Sequence, residues 1–107
     1  MARIVVVTGD LLFGSKIQQA LIAAGYDVDL SATVDPTADL LVVDLPELGD
    51  LSGLGDASCP VLGYYSHVDP GPRDSALALG IAKAVPRSRL IRDLTELTSD
   101  LLGSQGN

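Results

Sequence analysis

Three short aliphatic runs constrain this chain more than any other feature. Ile4, Val5, Val6 and Val7 stand in an unbroken series between Arg3 and the turn Thr8, Gly9, Asp10, and Leu40, Leu41, Val42 and Val43 form a second series before Asp44. Runs without polar alternation read as strands covered on both faces, the condition of a parallel sheet flanked by helices. Residues 60–65 supply a third strand, weakened by Gly63. Residues 26–31 place Val28 and Leu30 between Asp27, Asp29 and Ser31, the alternation of an edge strand with one wetter face. Residues 81–85 return to strand character before Pro86.

Between these strands the period changes. Over residues 11–24, Leu12, Ile17, Ala20, Leu21 and Ala24 recur at helical spacing, and Gly25 suits the left-handed residue that closes a helix. The alanine-rich stretch 72–79, with Leu77 and Leu79, predicts a helix ended by Gly80. Leu90, Ile91, Leu94, Leu97, Leu101 and Leu102 at steps of three and four predict an amphipathic last helix, with Ser88 as its cap. Alternating strand and helix give an α/β, doubly wound, five-stranded parallel sheet. Residues 32–39 are too few for a helical crossover, which takes about a dozen residues, and residues 45–59 hold three glycines and one proline. The second and third helices are therefore expected to be shortened or absent, with one sheet face thinly covered. The order expected for such a sheet is 2-1-3-4-5, and residues 104–107 read as a frayed, disordered tail.

Composition removes several function classes. With 7 basic against 14 acidic side chains the formal charge is −7, which disfavours direct nucleic-acid or anionic-membrane partners. The one cysteine, Cys59, has no second thiol to pair with, and the one histidine, His67, leaves no His-based metal or triad arrangement. His67 reads as a solvated loop residue and Cys59 as a small core residue opening a strand. No apolar run approaches the roughly 18 residues of a membrane span, and strand character begins at Arg3 without a charged leader, so a cytoplasmic location is expected.

Several segments resemble the receiver domain of response regulators in two-component signalling, a flavodoxin-like module phosphorylated on an aspartate. Ala23, Ala24, Gly25, Tyr26, Asp27 and Val28 are similar to the junction between its first helix and second strand. Ala38, Asp39, Leu40, Leu41, Val42, Val43, Asp44 and Leu45 resemble its central strand, and residues 80–88, Gly80 to Ser88, its last-strand ending. The resemblance implies one receiver-like domain over residues 1–103 that signals through protein contacts and is not an enzyme. It places Asp44 at the phosphoacceptor position, and Arg87 where the family carries a lysine: still a cation, but a planar fork instead of a compact ammonium. The signalling hydroxyl falls on Tyr65, or one residue on at Ser66.

The family pattern also calls for two adjacent carboxylates after the first strand to hold magnesium. Here Thr8 and Gly9 stand there, so a metal would have only Asp10 and Asp44. The expectation is a degenerate member without a cofactor, in which Asp44 forms a permanent ion pair with Arg87 in a pocket shared with Thr8, Gly9, Asp10, Tyr65 and Ser66. Magnesium enters only if phosphorylation is retained, in a phosphorylatable single-domain regulator. Partners would be a signalling kinase or an effector, met on the face of the last strand and its flanking helices or on the thin side near 32–39 and 45–56, where exposed leucines would favour a homodimer. Arg87, Arg89 and Arg92 read as a basic cluster, and Tyr64 and Tyr65 as one core and one surface ring.

A second resemblance is to the glycine-rich turn of extended short-chain reductases, carried by Thr8, Gly9, Asp10, Phe13, Gly14 and Ser15. It implies a small nucleotide-binding or enzymatic domain. Leu11 and Leu12 replace the middle glycine and block the approach of a pyrophosphate.

Overall fold

The computed structural model of the chain describes residues 2–35, 37–48, 52–66 and 71–103, leaving the side chains of Ser52, Asp56, Pro72 and Arg73 outside the description. His67 and the 104–107 tail therefore lie outside the described residues. The aliphatic runs become β1 (Arg3–Val7), β3 (Leu40–Asp44) and β4 (Val61–Tyr65), with β2 (Asp27–Ser31) and β5 (Lys83–Pro86) on the edges. All pairs are parallel, in the order β2-β1-β3-β4-β5 that the sequence leads one to expect. The register sets Asp44 beside Tyr64 and Tyr65 beside Pro86, so the carboxyl ends of the central strands finish together.

Helix α1 (Leu11–Ala23) starts from Asp10, whose carboxylate accepts the Phe13 N–H at 3.1 Å and satisfies one of the free amides of the first turn. Gly25 follows it with φ 99°, and Gly80 follows α3 (Gly71–Ala78) with φ 88°. Both glycines occupy the left-handed region that a side chain would strain. The last helix, α4 (Arg87–Gly103), begins directly after β5, so Ser88 sits inside its first turn and does not cap it. Asp93, at φ −114° and ψ 19°, interrupts its helical geometry.

Helix phase departs from the expected pattern in two places. The buried positions of α1 are Gly14, Ile17 and Leu21, whereas Leu12, Ala20 and Ala24 face outward. The cap at Asp10 and the contact of Gly14 with Thr8 and Leu30 set this phase. A Cβ on Gly14 would lie 2.8 Å from Thr8 Cγ2, so the helix approaches the sheet closely there. Ile91 is likewise exposed on α4, which buries Leu90, Leu94, Leu97 and Thr98.

Helices α1 and α4 cover one sheet face, closing a core of Ile4, Val6, Leu40, Val42, Leu62, Tyr64 and Val85 against Ile17, Leu21 and Leu90. Among the described residues the other face has the four-residue α2 (Leu45–Leu48), a 3-10 turn (Ser52–Asp56) and α3. It is nonetheless sealed: Val5, Val7, Leu41 and Val43 are buried beneath Ala38, Leu45, Leu54, Ala76 and Ile81. The described leucines expected to be exposed there are not, since Leu45 and Leu54 are core residues and Leu48 is half-buried; Leu51 lies outside the described residues. Gly63 makes this possible, because a Cβ on it would come within 2.8 to 2.9 Å of three Leu45 side-chain carbons.

No helix joins β2 to β3 among the described residues. A polar hub fixes that connection instead. The Arg3 guanidinium donates to Thr37 Oγ1 at 2.8 Å and to Asp35 Oδ2 at 2.9 Å, while the Arg3 N–H donates to Asp39 Oδ2 at 2.8 Å. Asp35 also accepts from the Thr37 amide and hydroxyl. The Thr37 hydrogen bonds, ahead of the Arg3 charge, lower the Asp35 carboxyl to about 2. No described helix is long and apolar enough to cross a membrane.

Candidate functional site

The carboxyl ends of β1, β3 and β4 meet the start of α4 around Asp44, the crevice where open α/β sheets place their sites. Asp44 is 1% exposed, and its two oxygens are already engaged. Oδ2 accepts from the Thr8 hydroxyl at 3.0 Å and from Arg87 Nη2 at 3.4 Å. Oδ1 accepts from the Glu47 N–H at 3.4 Å, across the turn that α2 makes immediately after β3. Thr8 Oγ1 in turn accepts the Asp10 N–H at 3.0 Å.

Arg87 spans the site. One arm meets Asp44, while Nη1 lies 3.6 Å from Asp10 Oδ2, tying the starts of α1 and α4 together. Its guanidinium carbon lies 4.7 Å from the Phe13 ring centroid and 5.8 Å from that of Tyr64, and those two rings pack at 5.2 Å with a 47° tilt. A weakly hydrated planar cation suits such an aromatic seat better than an ammonium would. The remaining arginines of the expected cluster do not join it, because Arg89 and Arg92 both pair with Asp93, whose carboxyl is lowered chiefly by its Arg92 hydrogen bond.

Of the residues assigned to the pocket from the sequence, Thr8, Asp10, Asp44 and Arg87 converge through these contacts. Gly9 is exposed beneath Glu47, whose Oε1 lies 2.8 Å from where a Gly9 Cβ would stand. Tyr65 ends β4 and Ser66 follows it half-buried. Strand alternation turns Tyr65 to the opposite face from Tyr64. Both tyrosines are buried, which corrects the expected split into core and surface rings: β4 is interior and both its faces are covered.

Sequence reasoning missed Glu47, and it named Phe13 and Tyr64 without placing them against Arg87. The Tyr64 hydroxyl lies beside Thr8 and Asp44 yet within hydrogen-bonding geometry of no described residue, and burial pushes its pKa up. Cys59 is half-buried and burial raises its thiol pKa too, away from the reactive range.

The donor set does not fit magnesium, the ion that the receiver resemblance implies. Asp10 spends its oxygens on the α1 amide and Arg87, the Thr8 hydroxyl directs its proton at Asp44, and a cation occupies the space between the two acids. No group of three or more His, Cys, Asp or Glu among the described residues is placed to hold a metal ion. The glycines of the turn after β1 do not form a phosphate cradle either. Gly14 serves helix–sheet contact and Asp10 takes the helix N-terminus.

The sequence matches neither a family model nor a curated protein. The fold does have solved counterparts. A CheY-like response regulator receiver domain from Methanospirillum hungatei superposes with TM-score 0.84 at 18% identity, over 98% of this chain and 96% of that one. A response regulator receiver domain from Clostridium thermocellum gives 0.81 at 14%, over 98% and 97%. A response regulator receiver protein from Burkholderia phymatum gives 0.79 at 22%, over 96% of each chain. With this sheet order, a strand-end aspartate at its centre and counterparts that match nearly end to end, the chain has the receiver fold of response regulators.

Proposed function

We propose that the chain is a receiver-like signalling module, one domain over residues 1–103, that works in the cytoplasm through protein contacts and not by catalysis. In this reading aspartyl phosphorylation at Asp44 is impaired or absent, and the partner is a signalling kinase or an effector. The observation that carries it is the engagement of Asp44 by Thr8, Glu47 and Arg87 at 1% exposure. Attack by a carboxylate on a phosphoryl group needs a free oxygen and a metal to neutralise the transferring charge. The contacts already made to both Asp44 oxygens, and Thr8 and Gly9 standing where a metal would need carboxylates, support this reading. Arg87 supplies a positive charge, but it is already committed to two carboxylates. A charge of −7 argues against nucleic acid or anionic membrane as the partner.

The test is incubation with acetyl phosphate and excess magnesium, followed by intact-mass measurement. An unchanged mass is expected. Addition of one phosphoryl group, lost on Asp44→Asn, would instead establish a phosphorylatable single-domain regulator. Sedimentation across a wide concentration range decides whether the partner includes a second copy.

A further inference from the structure

We infer that the Tyr64 hydroxyl is a reserve donor for Asp44, which gives the site two settings: Arg87 seated on the carboxylate with the phenol idle, or Arg87 released with the phenol in its place. The inference deepens the reading of this chain as a module acting through protein contacts, and rests on it for the use made of the released arginine. Asp44 and Tyr64 are paired in register on parallel strands, so their side chains share one face of the sheet. Tyr64 is fully buried, and its hydroxyl ends beside Thr8 and Asp44 without a hydrogen bond to any described residue. A buried hydroxyl in that condition carries a standing desolvation cost, which an arrangement that pairs it recovers.

Competition for one oxygen keeps the phenol idle. Asp44 Oδ2, the oxygen on the Thr8 side, already takes the Thr8 hydroxyl at 3.0 Å and Arg87 Nη2 at 3.4 Å. A carboxylate oxygen offers two lone pairs, so a third donor has no good direction of approach. Of the two occupants Arg87 is the looser. Its side chain is 42% exposed, and its contacts with Asp44 and Asp10, at 3.4 and 3.6 Å, are long for charge-assisted bonds. When it swings into solvent, the Thr8 hydroxyl and the Glu47 amide remain on Asp44, and the phenol turns its O–H onto the lone pair set free. The tyrosine ring stays packed on Phe13, at 5.2 Å between centroids, so the exchange moves one partly exposed side chain and leaves the core in place. A buried carboxylate with no replacement donor would hold its cation far more tightly. Release carries the guanidinium out of the crevice, and a partner that binds it there shifts the balance by its preference for that setting.

The experiment is a mutant cycle of Tyr64→Phe and Arg87→Met on the full chain, read by urea denaturation. Phenylalanine keeps the ring and removes only the hydroxyl. In the parent, Tyr64→Phe should leave the folding equilibrium constant unchanged or raise it, because no bond is lost and a desolvation cost is removed. In the Arg87→Met background it should lower that constant by about tenfold or more, the worth of a hydrogen bond to a carboxylate. Arg87→Leu repeats the cycle should the methionine variant fail to fold. Proton NMR supplies a readout that packing alone does not move: the Tyr64 phenolic proton should resonate further downfield in Arg87→Met than in the parent, as a newly bonded hydroxyl does. Equal effects of Tyr64→Phe in the two backgrounds, or a phenolic proton that does not move, would overturn the inference. A tenfold loss in the parent would overturn it equally, since the hydroxyl would then already have a partner, such as a water molecule, in the seated setting. Phosphoryl uptake in the acetyl phosphate test would refute the function reading while leaving this cycle's outcome untouched.

Discussion

Replacing Arg87 by methionine isolates the contact on which the site depends. Methionine keeps an apolar stem over Phe13 and Tyr64 but removes the cation from Asp44. Breaking a fully buried ion pair from one side destabilises a protein by about 3–5 kcal/mol, since a charge is left behind in a poor dielectric. Here the carboxylate is 1% exposed but the arginine side chain is 42% exposed, and the pair is separated by 3.4 Å. The Thr8 hydroxyl and the Glu47 amide stay on Asp44. The expected loss is therefore smaller, about 1–3 kcal/mol. For a domain near this size that lowers the melting temperature by on the order of 10 °C. Urea denaturation of the parent, Arg87→Met, Asp44→Asn and the double variant closes a mutant cycle. In the Asp44→Asn background no charge is left unpaired, so the same Arg87 substitution should cost less than about 1 kcal/mol. Equal losses in both backgrounds would refute the reasoning. Arg87 would then act only by packing on the two rings.

Three further outcomes are expected. Gly63→Ala should destabilise the fold by about 1–3 kcal/mol, because the new methyl meets the buried Leu45 side chain at 2.8 to 2.9 Å; adding Leu45→Ala should relieve the overlap, read as a smaller additional loss than Leu45→Ala gives alone. Asp10→Ala should cost about 0.5–2 kcal/mol through the lost α1 cap, and Asp10→Ser, which keeps a capping oxygen but not the Arg87 contact, should recover most of it in urea melts. Asp35, held at about 2 in the folded chain against a reference of 3.8, contributes stability that is complete above the reference value and lost as pH falls from about 4 to 2. The stability gap between the parent and Asp35→Asn should accordingly shrink across that window, and a gap independent of pH would remove the carboxylate from the Arg3 hub.

Much of the fold was legible from local pattern, while the site was legible only in outline. Asp44 and Arg87 were placed together by resemblance to a family arrangement, and their contact joins residues 43 positions apart. Glu47 gave no comparable signal, because an acid after a proline in a short loop is ordinary, and its approach to Gly9 follows from where the turn after β3 lands. Arg3 marked only the start of a strand in the sequence, and its contacts with Asp35, Thr37 and Asp39 follow from where the connection before β3 lies. The leucines of 45–56 were expected outside because their helix was expected to be short. The helix is short, yet the gap at Gly63 draws Leu45 inward.

Strand positions, their parallel class and the glycine-closed helix ends belong to the sequence alone, since side-chain periodicity and the backbone freedom of Gly25 and Gly80 act within a few residues. Tertiary structure alone decided the phase of α1, the double burial of Tyr64 and Tyr65, and the seat of Arg87 on Phe13 and Tyr64. Each of these depends on strand register and on how closely helix meets sheet, quantities set by atoms far apart in the chain. The same long-range geometry leaves Leu12 outside the core, where the spacing of apolar residues had placed it within.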